Sequence, residues 1–187
     1  MEEEIRRTID FLVKGKVILY PTDTIWGIGC DATHVKPVER IYRLKQRFES
    51  KSMIILLDHA DKLAGFVKKV PPIAYDLIER YKEPLTIIYQ NAMNVAKNVV
   101  AEDGTVAIRI VKDEFCRQVI STFNKPIVST SANLSGQPAP IVFSKIPDEI
   151  KKGVDYIVDH NRNTIIRTKP STIIKLLENN EFEVIRK

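Results

Sequence analysis

Cysteine is scarce in this 187-residue chain: Cys30 and Cys116 are the only two, far apart and in no CxxC pair. Such usage argues against a disulfide framework or a cysteine-based zinc site and fits a reducing compartment. Histidine is scarce too. His34, His59 and His160 form no HExxH or other metal-ligand spacing, so no protein-held metal is expected. No apolar run approaches the roughly 20 residues of a membrane span. The acidic start Met1-Glu2-Glu3-Glu4 lacks the basic and apolar regions of a signal peptide. A soluble, cytoplasmic protein without membrane association is therefore expected. The seven glycines include no GxxxxGK[ST] phosphate loop, and no serine sits in a GxSxG elbow. Gly27, Gly29 and Ala32 do match GxGxx[GA], with Glu49 beyond. Residues 21–26 separate that match from the end of the preceding strand, whereas a dinucleotide turn follows its strand at once. A dinucleotide cofactor is not expected.

What is present suits one domain spanning residues 1–187, long enough to bury a core without staples. The net charge of +5 favours anionic partners, nucleotide or RNA, without choosing between them. Ile5, Ile9, Leu12 and Val13 share one face of a helix over residues 3–14, which Gly15 ends. Val38, Ile41, Tyr42 and Lys45 mark a second helix, ending near Arg47. Further helices are predicted over 60–67, 71–81 and 113–123. Strands are predicted over 17–20, 53–57, 85–89, 105–110, 127–130, 154–158 and 182–186. Asn179-Asn180 suits the tight turn of a closing hairpin. Helices alternating with strands give an α/β class, and the closing hairpin makes its sheet mixed.

The most informative stretch is Tyr20-Pro-Thr-Asp-Thr-Ile-Trp-Gly-Ile-Gly29. A buried strand stops at Pro21 and runs into two hydroxyls, a carboxylate, the only tryptophan and two glycines. This suits a ligand site at a strand end. It suits equally a turn that caps a helix. The theme recurs where strand 127–130 enters Ser131-Ala-Asn133-Leu-Ser-Gly136, a loop able to cradle phosphate or simply to lie at the surface. Lys45, Arg47 and Lys51 sit in a run of cations before a strand: donors for phosphate oxygens, or a solvated helix end. On strand 105–110, Val106, Ile108 and Ile110 face the core. Thr105, Ala107 and Arg109 face the other way, so Arg109 is either a site residue or a surface cation. No nucleophile stands out. Hydroxyls and cations at strand ends suit nucleotidyl or phosphoryl transfer, which depends on positioning and charge neutralisation.

Five segments, in order, resemble the YrdC-like family. They are Tyr20–Gly29, Lys45-x-Arg47 with Ser131-x-Asn133, Thr105–Arg109, Ser129–Gly136, and Lys169-Pro-Ser-Thr172. The resemblance spans nearly the whole chain and is to the single-domain short form. It implies a twisted mixed parallel and antiparallel sheet flanked by helices, with a large basic concave face. It also implies a threonylcarbamoyl-AMP synthase, which joins L-threonine, bicarbonate or CO2 and ATP and releases pyrophosphate, for modification of tRNA adenosine 37. Mg²⁺ would arrive on the ATP phosphates, and tRNA-modification proteins would be partners. A second reading is a double-stranded RNA or tRNA binder of the same fold without synthase activity.

By the same resemblance, Lys45 and Arg47 are the catalytic cations. Lys45, Arg47, Lys51, Thr105, Ser131, Asn133 and Arg186 would bind ATP. Thr24, Arg109, Ser129 and Ser171 would bind threonine, Arg109 through the carboxylate. The chain departs from the family pattern at Gln46 and Phe48, where glycine and proline are usual. It departs again at Lys51, at Leu56 and in Tyr81-Lys-Glu-Pro84.

Overall fold

Nine strands form one mixed sheet in the computed structural model, which describes residues 1–46, 53–164, 169–177 and 181–187. In chain order the strands are β1 (Ile18–Tyr20), β2 (Gly27–Gly29), β3 (Ile54–Leu57), β4 (Leu85–Tyr89), β5 (Val106–Ile110), β6 (Ile127–Ser131), β7 (Tyr156–Ile157), β8 (Thr172–Leu176) and β9 (Phe182–Arg186). Across the sheet they run β7-β1-β2-β6-β3-β5-β4-β8-β9. The β1/β7, β3/β5 and β4/β8 pairs are parallel and the other pairs antiparallel. The helices are α1 (Glu2–Val13), α2 (Val35–Leu44), α3 (Pro72–Arg80), α4 (Glu114–Phe123) and α5 (Asp148–Gly153).

Alternation along the strands sorts the side chains onto two faces. Leu19, Ile28, Ile55, Leu57, Ile87, Ile108, Val128 and Ile174 point to one face and form the main core with Val38 and Ile41 of α2. On the other face, Ile18, Tyr20, Leu56 and Ile127 pack under Ile5 and Leu12 of α1 and Phe115, Val119 and Ile120 of α4. The same face continues through the cross-strand row Ser129–Ile54–Ala107–Ile88. There it lines a cavity instead of meeting a helix.

Three local features differ from expectation. The glycines of the Trp26–Gly29 stretch belong to a strand, β2, paired with β1 and β6. Gly29 is needed there because a Cβ would lie 2.4 Å from the Val128 carbonyl oxygen and 2.6 Å from the Tyr20 ring. A strand with glycine at both ends shows no alternating apolar pattern. Helix α5 follows a proline-rich stretch and carries one fully buried residue, Ile150, too few for a visible periodicity. Helix α2 ends at Leu44, and Gln46 adopts φ 52°. The left-handed conformation explains why glycine is usual here, and Gln46 carries its steric cost. The Asn179-Asn180 turn lies outside the described residues, although β8 and β9 do pair antiparallel.

Candidate functional site

The cavity holds about 300 Å³, the lower end of the range for small-molecule sites. Its polar walls come from well-separated parts of the chain. The β1–β2 connection supplies Thr24, and β2 supplies Gly27. Strand β6 supplies Ser129, Thr130 and Ser131, and β5 supplies Ala107 and Arg109. Ser171 precedes β8, and Arg186 ends β9. The antiparallel register sets Gly27 opposite Ser131 and Arg109 opposite Thr86. Gly27 leaves the floor low, since a Cβ would already crowd the Ser129 hydroxyl at 3.3 Å.

Arg109 is the dominant charge. Its side chain is 4% exposed, and Nη2 lies 3.1 Å from Oδ1 of Asp23, itself 9% exposed. Nε and Nη2 nevertheless make no hydrogen bond among the described residues, and neither carboxylate oxygen of Asp23 does. A buried guanidinium is tolerable beside a countercharge. The guanidinium as a whole is a rigid fork of donors of the kind that receives a carboxylate. Behind this pair, burial raises the Asp113 carboxyl, with the Asp23 charge adding to the effect. Burial likewise pushes the Cys116 thiol well above its usual range. Asp113 also caps α4, accepting from the Cys116 amide at 2.8 Å.

Arg186 is held differently. Its Nε and Nη2 donate to the Ser171 carbonyl at 3.1 and 2.8 Å. Burial lowers its pKa, and the nearby charge of Arg109 lowers it further. Ser171 Oγ sits 2.8 Å from the Thr86 hydroxyl. In the β1–β2 connection, Thr24 and Thr22 share a hydroxyl contact of 2.9 Å, and Thr22 also donates to the Ile25 carbonyl at 2.8 Å.

The residues singled out from the sequence fall into four groups. Thr24, Arg109, Ser129, Ser131, Ser171 and Arg186 meet around the cavity. Lys45 and Asn133 meet beside it. The Lys45 ammonium, 1% exposed, donates to the carbonyls of Ser131 and Asn133, the latter at 2.6 Å, and approaches Asn133 Oδ1 at 3.4 Å. The Ser135 amide donates back to the Lys45 carbonyl at 2.8 Å. Lys45 thus ties the end of α2 to the loop after β6. Thr105 stands apart from the cavity wall, donating to Asp103 at 2.6 Å. That bond, with Lys175 helping, holds the Asp103 carboxyl down at about 2. Arg47 and Lys51 lie outside the described residues.

Asp23, Thr22 and Thr86 were not singled out from the sequence. Thr22 and Asp23 lay in plain view within the opening stretch, but nothing local reveals what they face. Thr86 is a lone hydroxyl among the apolar residues of β4, a weak signal of a polar row. The GxGxx[GA] match resolves into two positions on one strand, without a strand-to-helix turn.

A family model for Sua5, YciO and YrdC proteins, described as telomere recombination, matches residues 10–187. The threonylcarbamoyl-AMP synthase of Pseudoalteromonas translucida is 32% identical over 175 residues, which cover 92% of each chain. Among solved structures, Pyrococcus abyssi Sua5 complexed with L-threonine superimposes with a TM-score of 0.85 at 29% identity. That match covers 94% of this chain but 52% of the Pyrococcus protein, so the chain spans about half its length. Escherichia coli YciO shares the fold, with a TM-score of 0.87 at 23% identity over 100% of this chain and 90% of its own. No helix among the described residues is long and apolar enough to cross a membrane.

Proposed function

The chain belongs to the Sua5/YciO/YrdC family, and from that premise we propose that it is a threonylcarbamoyl-AMP synthase. The observation that carries the reading is the buried Arg109, ion-paired with Asp23, in the wall of a small cavity rimmed with hydroxyls. That arrangement suits a small, polar carboxylate ligand, and L-threonine is one.

In this reading Arg109 receives the threonine carboxylate, with Asp23 pairing with the guanidinium and holding it in place. Thr24, Ser129 and Ser171 surround the rest of the amino acid. The uncharged amine adds to CO2, forming the C–N bond of a carbamate and losing one proton to solvent. A carbamate oxygen then attacks the α-phosphorus of ATP. The new P–O bond forms as the bond from the α-phosphorus to the α,β-bridging oxygen breaks, and pyrophosphate leaves. No protein nucleophile is needed, because the work is alignment and charge neutralisation. Lys45 would hold the Ser131–Asn133 loop against the phosphates, with Arg47, Lys51 and Arg186 supplying positive charge and Thr105 in a supporting position. Among the described residues, the cavity wall offers hydroxyls and guanidiniums and no carboxylate. Mg²⁺ would therefore arrive with ATP, held by phosphate and water.

The test is a mass-spectrometric assay with ATP, Mg²⁺, bicarbonate and L-threonine, following pyrophosphate in parallel. A product whose formation requires both threonine and bicarbonate is expected. ATP bound without any such product would overturn the reading.

A further inference from the structure

Resting on the synthase reading, we propose that Thr22 is a positioning residue that fixes the direction of the Thr24 hydroxyl proton. Thr24 then meets the substrate only as an acceptor and selects threonine through the proton of its β-hydroxyl.

The inference follows from counting protons. A threonine hydroxyl has one hydrogen to give and two lone pairs to receive. Thr22 Oγ1 has three partners: the Ile25 carbonyl at 2.8 Å, the Thr24 amide at 3.1 Å and the Thr24 hydroxyl at 2.9 Å. A carbonyl oxygen brings only lone pairs, so at that distance Thr22 must direct its single hydrogen to Ile25. The Thr24 amide is a donor and fills one lone pair of Thr22. The remaining contact can then run in one direction only, with the Thr24 hydroxyl donating to the second lone pair. Thr22 is saturated, and the one proton of Thr24 is committed inward. What Thr24 shows to the cavity it lines is a pair of lone pairs. Both residues are buried, 3% and 2% exposed, so bulk water does not compete for these bonds.

Other residues of the cavity wall are complementary. Arg109 and Arg186 are pure donors and line the same cavity as Thr24. A ligand that meets both needs an acceptor for the arginines and a proton to donate to Thr24. A charged ammonium is a poor match for Thr24, because two guanidiniums line the same cavity and, among the described residues, no carboxylate does. A neutral hydroxyl satisfies the acceptor without adding positive charge. Threonine has one on its β-carbon. An analogue without a donor there leaves the lone pairs of Thr24 unmet in a buried site, which is a strong ground for rejection.

The experiment is calorimetric titration with three ligands: L-threonine, L-2-aminobutyrate, and the analogue bearing fluorine in place of the hydroxyl. Fluorine keeps the acceptor character and approximate size of the hydroxyl but brings no proton. The unsubstituted protein should bind threonine at least about tenfold more tightly than either analogue, with the fluoro compound no better than 2-aminobutyrate. In Thr22→Val the Thr24 proton is released to turn toward the cavity. The fluoro analogue should then gain on threonine by about tenfold, while Thr22→Ser keeps the original order. If Thr22→Val weakens all three ligands equally, or if the unsubstituted protein prefers the fluoro compound to 2-aminobutyrate, the inference is overturned and the synthase reading stands. The second comparison needs no variant, so it holds even if Thr22→Val does not fold. Absence of threonine binding to the unsubstituted protein would overturn both.

Discussion

One face of the sheet has two halves built from the same strands, and they make opposite use of the same geometry. In the covered half, Leu56 and Ile127 point outward from β3 and β6 and are sealed by α1 and α4. Two residues along each strand, Ile54 and Ser129 point the same way and line the cavity. Burial is the default for such a face, because each apolar side chain removed from water stabilises the fold by roughly 1.5–3 kcal/mol. The open half departs from that default with hydroxyls, glycine and alanine. It also accepts a buried Arg109 beside the countercharge of Asp23. Stability is concentrated in the first half and chemistry in the second.

The sharpest way to test this division is Arg109→Leu. It should lower adenylate formation by about 10²–10³-fold, as expected for loss of one preorganised donor, and the steady-state assay with threonine would measure it. Asp23→Asn follows. It leaves the guanidinium buried without a countercharge, and chemical denaturation should show a loss of about 3 kcal/mol. The paired substitutions Leu56→Ala and Ser129→Ala contrast the two halves directly. Leu56→Ala should cost about 2–3 kcal/mol of stability by leaving a cavity. Ser129→Ala should cost under about 1 kcal/mol while weakening threonine binding. Comparable stability losses would break the comparison.

Smaller effects lie outside both halves. Gln46→Gly relieves the left-handed backbone position and should raise stability by about 0.5 kcal/mol, the steric relief exceeding the added chain entropy. Away from the cavity, Lys175 holds Asp103, whose pKa of about 2 lies below its ordinary 3.8. A depressed carboxylate contributes stability that is complete above its unfolded value and lost as pH falls through its folded one. Acid titration should therefore show a shallow loss between about pH 4 and pH 2 that Asp103→Asn abolishes, small because the group is exposed.

Much of this was legible beforehand. The alternation in Thr105–Ile110 assigned Val106 and Ile108 to the core, where they lie. The hydroxyls after two strands marked the ends that converge on the cavity. Strand β2 and helix α5 were not legible. Two glycines give no hydrophobic signal, and one buried isoleucine gives no period. Lys45 and Arg186 could be recognised as cations near a site. That each directs its donors to backbone carbonyls, of Ser131 and Asn133 and of Ser171, could not.

By itself the sequence determined the period-2 and period-3.6 patterns, the turn and cap residues, and the order in which polar strand ends occur. These depend on neighbours a few residues apart. The tertiary structure decided which of those ends meet. Asp23 reaches Arg109 only because β2 crosses to β6, β6 to β3 and β3 to β5. The same crossings make Arg109 a buried donor instead of a surface cation. Desolvation, countercharge and the direction of a hydroxyl proton are properties of a completed environment, and residues far apart in the chain supply that environment.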